Sequence, residues 1–159
     1  MTLQTPPPRQ PAHYVRARGE IGQKEAPGTA DNPRIVEYLR TTNLDKKYWH
    51  DATAHCAAFV CWVLEQEKLP NPRYAKARNF LHYGSALTEP RLGCLVILWR
   101  TTKDAPRGQV GDGHIGFYVK SSAERLLLLG ANQHNEVCEQ YYPAIRLLEY
   151  RWPPGVPLL

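Results

Sequence analysis

Two residues of this 159-residue chain stand where covalent chemistry is possible. Cys56 immediately precedes the apolar run AAFVCWVLEQEK (57–68), which has the character of a helix. A thiol at a helix start faces unpaired backbone N–H groups and the positive end of the dipole, and both favour the thiolate. His114 opens the segment HIGFYVK (114–120), in which Ile115, Phe117 and Val119 fall on one strand face and His114, Gly116 and Tyr118 on the other. A histidine on the polar face beside small glycines is placed to act as a base. The third member follows from hairpin geometry. If 113–120 pairs with 124–129 around a turn at 121–123, residue numbers across the ladder sum to about 244–246, and residues 130–132 face His114. Asn132 is then the natural orienter of the imidazole, with Gln133 and His134 as the next choices. A thiol, an imidazole and a polar orienter in that order make the apparatus for attack on an acyl carbon.

The other cysteines, Cys61, Cys94 and Cys138, read as small buried hydrophobes. His50, His55 and His134 add further soft ligands, but no CxxC or HxxxH spacing occurs, so no metal and no cofactor is expected. The net charge of +5 favours an anionic partner. The basic residues are dispersed rather than gathered on one helix or among strand aromatics, so nucleic acid is not the expected partner. The longest apolar runs, 95–99 and 126–129, fall far short of a membrane span.

These residues require a scaffold of helices followed by strands. Tyr14, Ala17 and Ile21 recur at helical spacing over 11–21. Asn32 reads as an N-cap with Pro33 at the first helical position, opening PRIVEYLR. A further helix is expected over 73–83, carrying Tyr74, Ala77, Phe80 and Leu81 and stopped at Gly84. After Pro90 come short strands at 95–99, 114–120, 125–129, 137–142 and 145–152, separated by turn residues. That order predicts an α+β fold of one domain over 13–159 behind a flexible Pro-rich tail over 1–12. The tail has no apolar segment or small-residue cleavage site of a secretory signal, so synthesis in the cytoplasm without a signal peptide is expected.

The stretches GEIGQKEAPGTADNPRIVEYL, HCAAFVCWVLEQ, ARNFLHYG, PRLGCLVILWR, GDGHIGFYV, LLGANQHN and YRWP together resemble the NlpC-type papain-like cysteine peptidases of bacteria and phages, neighbours of the CHAP amidases. The resemblance implies a papain-like fold, with an N-terminal helical lobe packed on a small antiparallel β-sheet. It also implies a metal-free hydrolase that cuts amide bonds in peptidoglycan stem peptides. Cys56 matches the nucleophile, His114 the base, and Asn132 the region supplying the third member, with the Cys56 N–H contributing to an oxyanion hole. His55, Trp49, Tyr118 and Gln133 are the expected substrate-binding residues. His55 replaces an aromatic residue common in that group, and Cys94 stands where an Asp is expected. The implied setting is the periplasm or cell wall, reached by lysis as a phage lysin or by secretion-system delivery as an antibacterial effector. A cognate immunity protein is the expected partner, and the chain is expected to act as a monomer. The alternative is a non-catalytic wall-binding or acyl-transfer module on the same fold.

Overall fold

The computed structural model describes residues 9–100 and 112–158. Most of the tail expected over 1–12 lies outside them, as does the turn-rich stretch 101–111.

The helical part is built as the local sequence dictates. The Asn32 side chain accepts a hydrogen bond from the Arg34 N–H at 2.9 Å, capping α2 (Pro33–Arg40). This helix turns Ile35, Tyr38 and Leu39 inward. The first helix, α1 (Ala12–Arg18), stops three residues short of Ile21, which is exposed. Past Arg18 the bonds become three-residue turns, and the Gly22 N–H leaves to donate to the Val137 carbonyl. Between them, α3 (Cys56–Gln66) is apolar almost all round, with every residue from Cys56 to Leu64 buried. A helix of that kind has to be covered on all sides. α1 and α2 pack on it from outside, and the sheet covers its inner side.

The helix expected over 73–83 is instead a 3₁₀ segment, Ala77–His82. Its first residues are drawn elsewhere. Arg73 takes φ 60°, its carbonyl accepts from the Asn43 N–H at 2.9 Å, and its guanidinium donates to the Thr42 carbonyl at 2.7 Å.

The strands are β1 (Ser85–Leu87), β2 (Leu95–Trp99), β3 (Gly113–Ser121), β4 (Arg125–Gln133), β5 (Glu136–Pro143) and β6 (Leu147–Trp152). They form one antiparallel sheet in the order β1-β6-β2-β3-β4-β5. β1 has only three residues at the sheet edge and carries no alternating pattern, so the sequence gives little sign of it. β2 lies between β3 and β6 and is covered on both faces, which accounts for its unbroken apolar run.

The two faces hold separate cores. Leu95, Ile97, Ile115, Phe117, Leu129 and Ala131 meet the helices, and Phe59 of α3 stands between the rings of Tyr38 (5.2 Å) and Phe117 (6.0 Å). Fully burying one such ring contributes about 2 kcal/mol. On the other face Cys94, Val96, Leu98, Leu126, Leu128, Tyr142 and Trp152 cluster together. The fold is therefore α+β, with helices on one side of an antiparallel sheet.

Candidate active site

Cys56 is the first residue of α3, and His55 occupies the N-cap position. The approach to it is fixed by carboxylates. Asp51 accepts from the N–H groups of Ala26 (2.6 Å) and Asn32 (2.8 Å), and Asp31 accepts from the Asp51 N–H at 2.9 Å. The Cys56 sulfur lies near the backbone of Ile115, the neighbour of His114, at the start of β3. Burial raises the thiol pKa, while the backbone dipoles of Ile115 and Ala57 and the nearby Arg100 charge oppose the rise. Cys56 is 8% exposed, so burial outweighs the helix terminus and the resting group is the thiol. No direct hydrogen bond joins this sulfur to the His114 ring among the described residues.

His114 projects from the sheet face opposite the helices. Its Nε2 is 2.9 Å from Gln133 Oε1 and 3.0 Å from the Tyr142 hydroxyl. The Gln133 amide nitrogen donates to the carbonyls of Cys138 (2.6 Å) and Leu128 (3.4 Å), which fixes the amide so that Oε1 faces the imidazole. An amide oxygen only accepts. His114 must therefore carry its proton on Nε2, and Nδ1 is the basic nitrogen. The Tyr142 O–H donates to the same Oε1 at 3.0 Å and leaves its own oxygen as a second acceptor for Nε2–H. Burial pushes the imidazole pKa down to about 4, and Arg100 and Arg146 add to the depression. At neutral pH the pair is a neutral thiol and a neutral base.

The expected orienter, Asn132, is displaced by one residue. The register of β4 against β5 shifts between Gly130 and Gln133, with Asn132 at φ 58°, a β-bulge that breaks the alternation. Ala131 remains in the helix-side core while Gln133 turns onto the face of His114. Gly130 makes room for this, because a Cβ there would meet Gln133 Oε1 at 2.9 Å.

Two hollows of about 270 Å³ each flank the pair and share Arg100. One is lined by Cys56, Ala77, Asp112 and Gly113, the other by His114, Asn132, His134 and Tyr142. Asn132 and His134 thus stand at the hollow rather than on the imidazole, and Gln133, expected to bind substrate, is the imidazole's partner. The other expected binding residues stand apart from both hollows. His55 is fully buried, its Nδ1–H donating to the Thr53 carbonyl at 2.8 Å. Trp49 packs on the core with its Nε1–H donating to the Leu44 carbonyl at 3.2 Å and the Arg40 guanidinium over its ring. Tyr118 packs on the second core, bonded to Ser121 through its hydroxyl.

Two further supports of the site lie outside the motifs read from the sequence. Arg78 is 1% exposed, and its Nε–H donates at 2.9 Å to the Asp112 carbonyl, which also accepts from the Arg100 N–H. This clamps the start of β3 beside His114. Its signal was a charged residue among the apolar positions of ARNFL. Tyr142 pairs in register with Leu126, distant from His114 along the ladder, so no local pattern points to it.

A larger groove of about 760 Å³ runs along the helices, lined by Arg16, Glu20, Arg34, Trp62 and Glu67 among others. Its charges pair with one another (Arg16–Glu67 2.7 Å, Arg34–Glu20 3.3 Å), and it holds neither Cys56 nor His114. Among the described residues, no group of three or more His, Cys, Asp or Glu side chains is arranged to hold a metal ion. No described helix is long and apolar enough to cross a membrane. Comparison of the chain with protein-family models and with curated proteins finds no match to either.

Proposed function

We propose that the chain is a papain-like cysteine hydrolase that cleaves amide bonds in peptidoglycan stem peptides, with Cys56 as nucleophile and His114 as base. The observation that carries this reading is the fixed tautomer of His114. Gln133 holds Nε2–H and leaves Nδ1 basic, one residue from the backbone that contacts the Cys56 sulfur. Because burial keeps both groups neutral, the thiol proton passes to Nδ1 as sulfur attacks the carbonyl carbon. The unpaired N–H groups at the start of α3 are the natural donors to the resulting oxyanion. The imidazolium then protonates the leaving nitrogen as the C–N bond breaks, and water hydrolyses the thioester. The net charge of +5 favours encounter with an anionic wall. The setting that fits is delivery into the periplasm or wall, as an effector with a cognate inhibitor or as a phage lysin, with the enzyme working as a single copy.

The test is incubation of purified sacculi with wild type, Cys56→Ala and His114→Ala, followed by mass analysis of released fragments. Release by wild type alone supports the reading, and undiminished release by Cys56→Ala overturns it. A second reading, a non-catalytic wall-binding module, draws on the burial of Cys56. It expects Cys56→Ala to keep both wall binding and biological effect.

A further inference from the structure

The hollow beside His114 has a one-sided chemistry. Its wall carries the guanidinium groups of Arg100 and Arg146 with the polar side chains of Asn132, His134 and Gln140, and no carboxylate among the described residues. Arg146 is held in place. Its Nε–H donates to the Trp99 carbonyl at 3.0 Å, and the guanidinium lies 5.4 Å from the Tyr142 ring centroid and 5.9 Å from that of Trp99. Anchored through Nε, it keeps its two terminal nitrogens for a planar acceptor. No ion pair joins Arg100 or Arg146 to a carboxylate among the described residues. Both cations lie close enough to His114 to disfavour its charging, an arrangement that an arriving anion would relieve. In the same wall Gln140 Oε1 is buried with no hydrogen-bond partner among the described residues. Buried acceptors are as a rule satisfied, so this oxygen points to a donor supplied from outside.

We propose that this hollow is a subsite for a residue bearing a free carboxylate, next to the bond attacked by Cys56. Arg146 and Arg100 hold the carboxylate, and Gln140 Oε1 accepts an N–H from the same residue. At about 270 Å³ the space falls below the roughly 300 Å³ at which pockets for whole small ligands begin, and suits one residue of a longer chain. The inference rests on the hydrolase reading and narrows its substrate to acidic peptides with the carboxylate on the His114 side.

The experiment compares native sacculi with sacculi whose carboxylates have been converted to carboxamides by carbodiimide and ammonium chloride. Wild type is expected to release fragments at least about tenfold faster from the native material, as loss of one charge-assisted contact implies. Arg146→Gln and the exposed Arg100→Gln each lose about tenfold on native sacculi and little on amidated ones, and Arg146→Lys recovers part of the loss. Equal rates of wild type on both materials, or variants that keep its preference, overturn the subsite while leaving the hydrolase reading intact. Binding of a soluble stem peptide and its amidated form to Cys56→Ala protein gives a readout free of catalysis. If no sacculus releases Cys56-dependent fragments, the hydrolase reading fails. The subsite then stands or falls on whether the peptide binds through its carboxylates and Arg146→Gln abolishes that preference.

Discussion

Gln133 grips His114 through an oxygen that can only accept, 2.9 Å from Nε2, while its own nitrogen is committed to two backbone carbonyls. Gln133→Ala removes the group that fixes the tautomer and leaves a buried donor short of a partner, a loss of about 1–3 kcal/mol. We expect kcat to fall about tenfold to a hundredfold, against a smaller loss for Asn132→Ala and a few-fold loss for Tyr142→Phe. Steady-state kinetics on soluble stem peptides checks the order, and Asn132→Ala proving the most damaging would reverse the assignment.

Gly130 offers a way to disturb the site through the grip of Gln133 on His114. The Cβ of Gly130→Ala would lie 2.9 Å from Gln133 Oε1, the far end of a flexible side chain that can yield. Folding should cost about 1–3 kcal/mol, because moving the amide breaks the same buried hydrogen bonds that Gln133→Ala removes, while the backbone around it stays in place. The amide moved off His114 should lower kcat about tenfold. A thermal melt and a kcat measured on the same preparation separate the two effects. An unchanged kcat would falsify the role given to this close approach.

Stability should fall on acidification. Burial depresses His114 to about 4 and lowers His13 and His55 as well. Between roughly pH 6.5 and pH 4 the unfolded chain takes up protons that the folded rings refuse, so the stability present above pH 6.5 is lost as pH falls. His114 alone accounts for on the order of 3 kcal/mol over that window. Glu20, raised by burial, works in the opposite direction at lower pH. Urea midpoints at pH 7, 6 and 5 should decline for wild type and decline less for His114→Asn. Parallel curves for the two proteins would remove His114 as a cause.

Tyr38, whose ring lies beside Phe59 and Trp62, carries a buried hydroxyl with no hydrogen-bond partner among the described residues. Removing a hydroxyl usually costs about 1 kcal/mol because a bond is lost with it. Here Tyr38→Phe loses no bond and sheds a desolvation penalty. Its melting temperature should equal or exceed that of wild type, and a drop of several degrees would show that the hydroxyl has a role in the fold.

The parts of the molecule that could be read from sequence are those governed by local rules. Asn32 with Pro33 marked the start of α2, the apolar run after Cys56 marked α3, and the alternation from His114 to Val119 separated the two faces of β3. What could not be read depends on distant partners. Arg73 bonds back to the loop after α2 and spoils the expected helix, and β1 exists only because β6 passes beside it. The orienter was legible to within one residue. The ladder sum places Asn132 opposite His114, and only the left-handed turn of Asn132 itself moves Gln133 into that place.

The position of β6 has a consequence for how the protein is made. Residues 147–152 pair with β1 on one side and β2 on the other, so the sixth strand in chain order sits inside the sheet, between two strands made well before it. Until it emerges, β1 has no neighbour and β2, the strand bonded to that of His114, presents a raw edge. Such late, long-range closure is slow compared with local pairing. Chains cut short before Leu147 should therefore be both inactive and prone to pair edge to edge with one another.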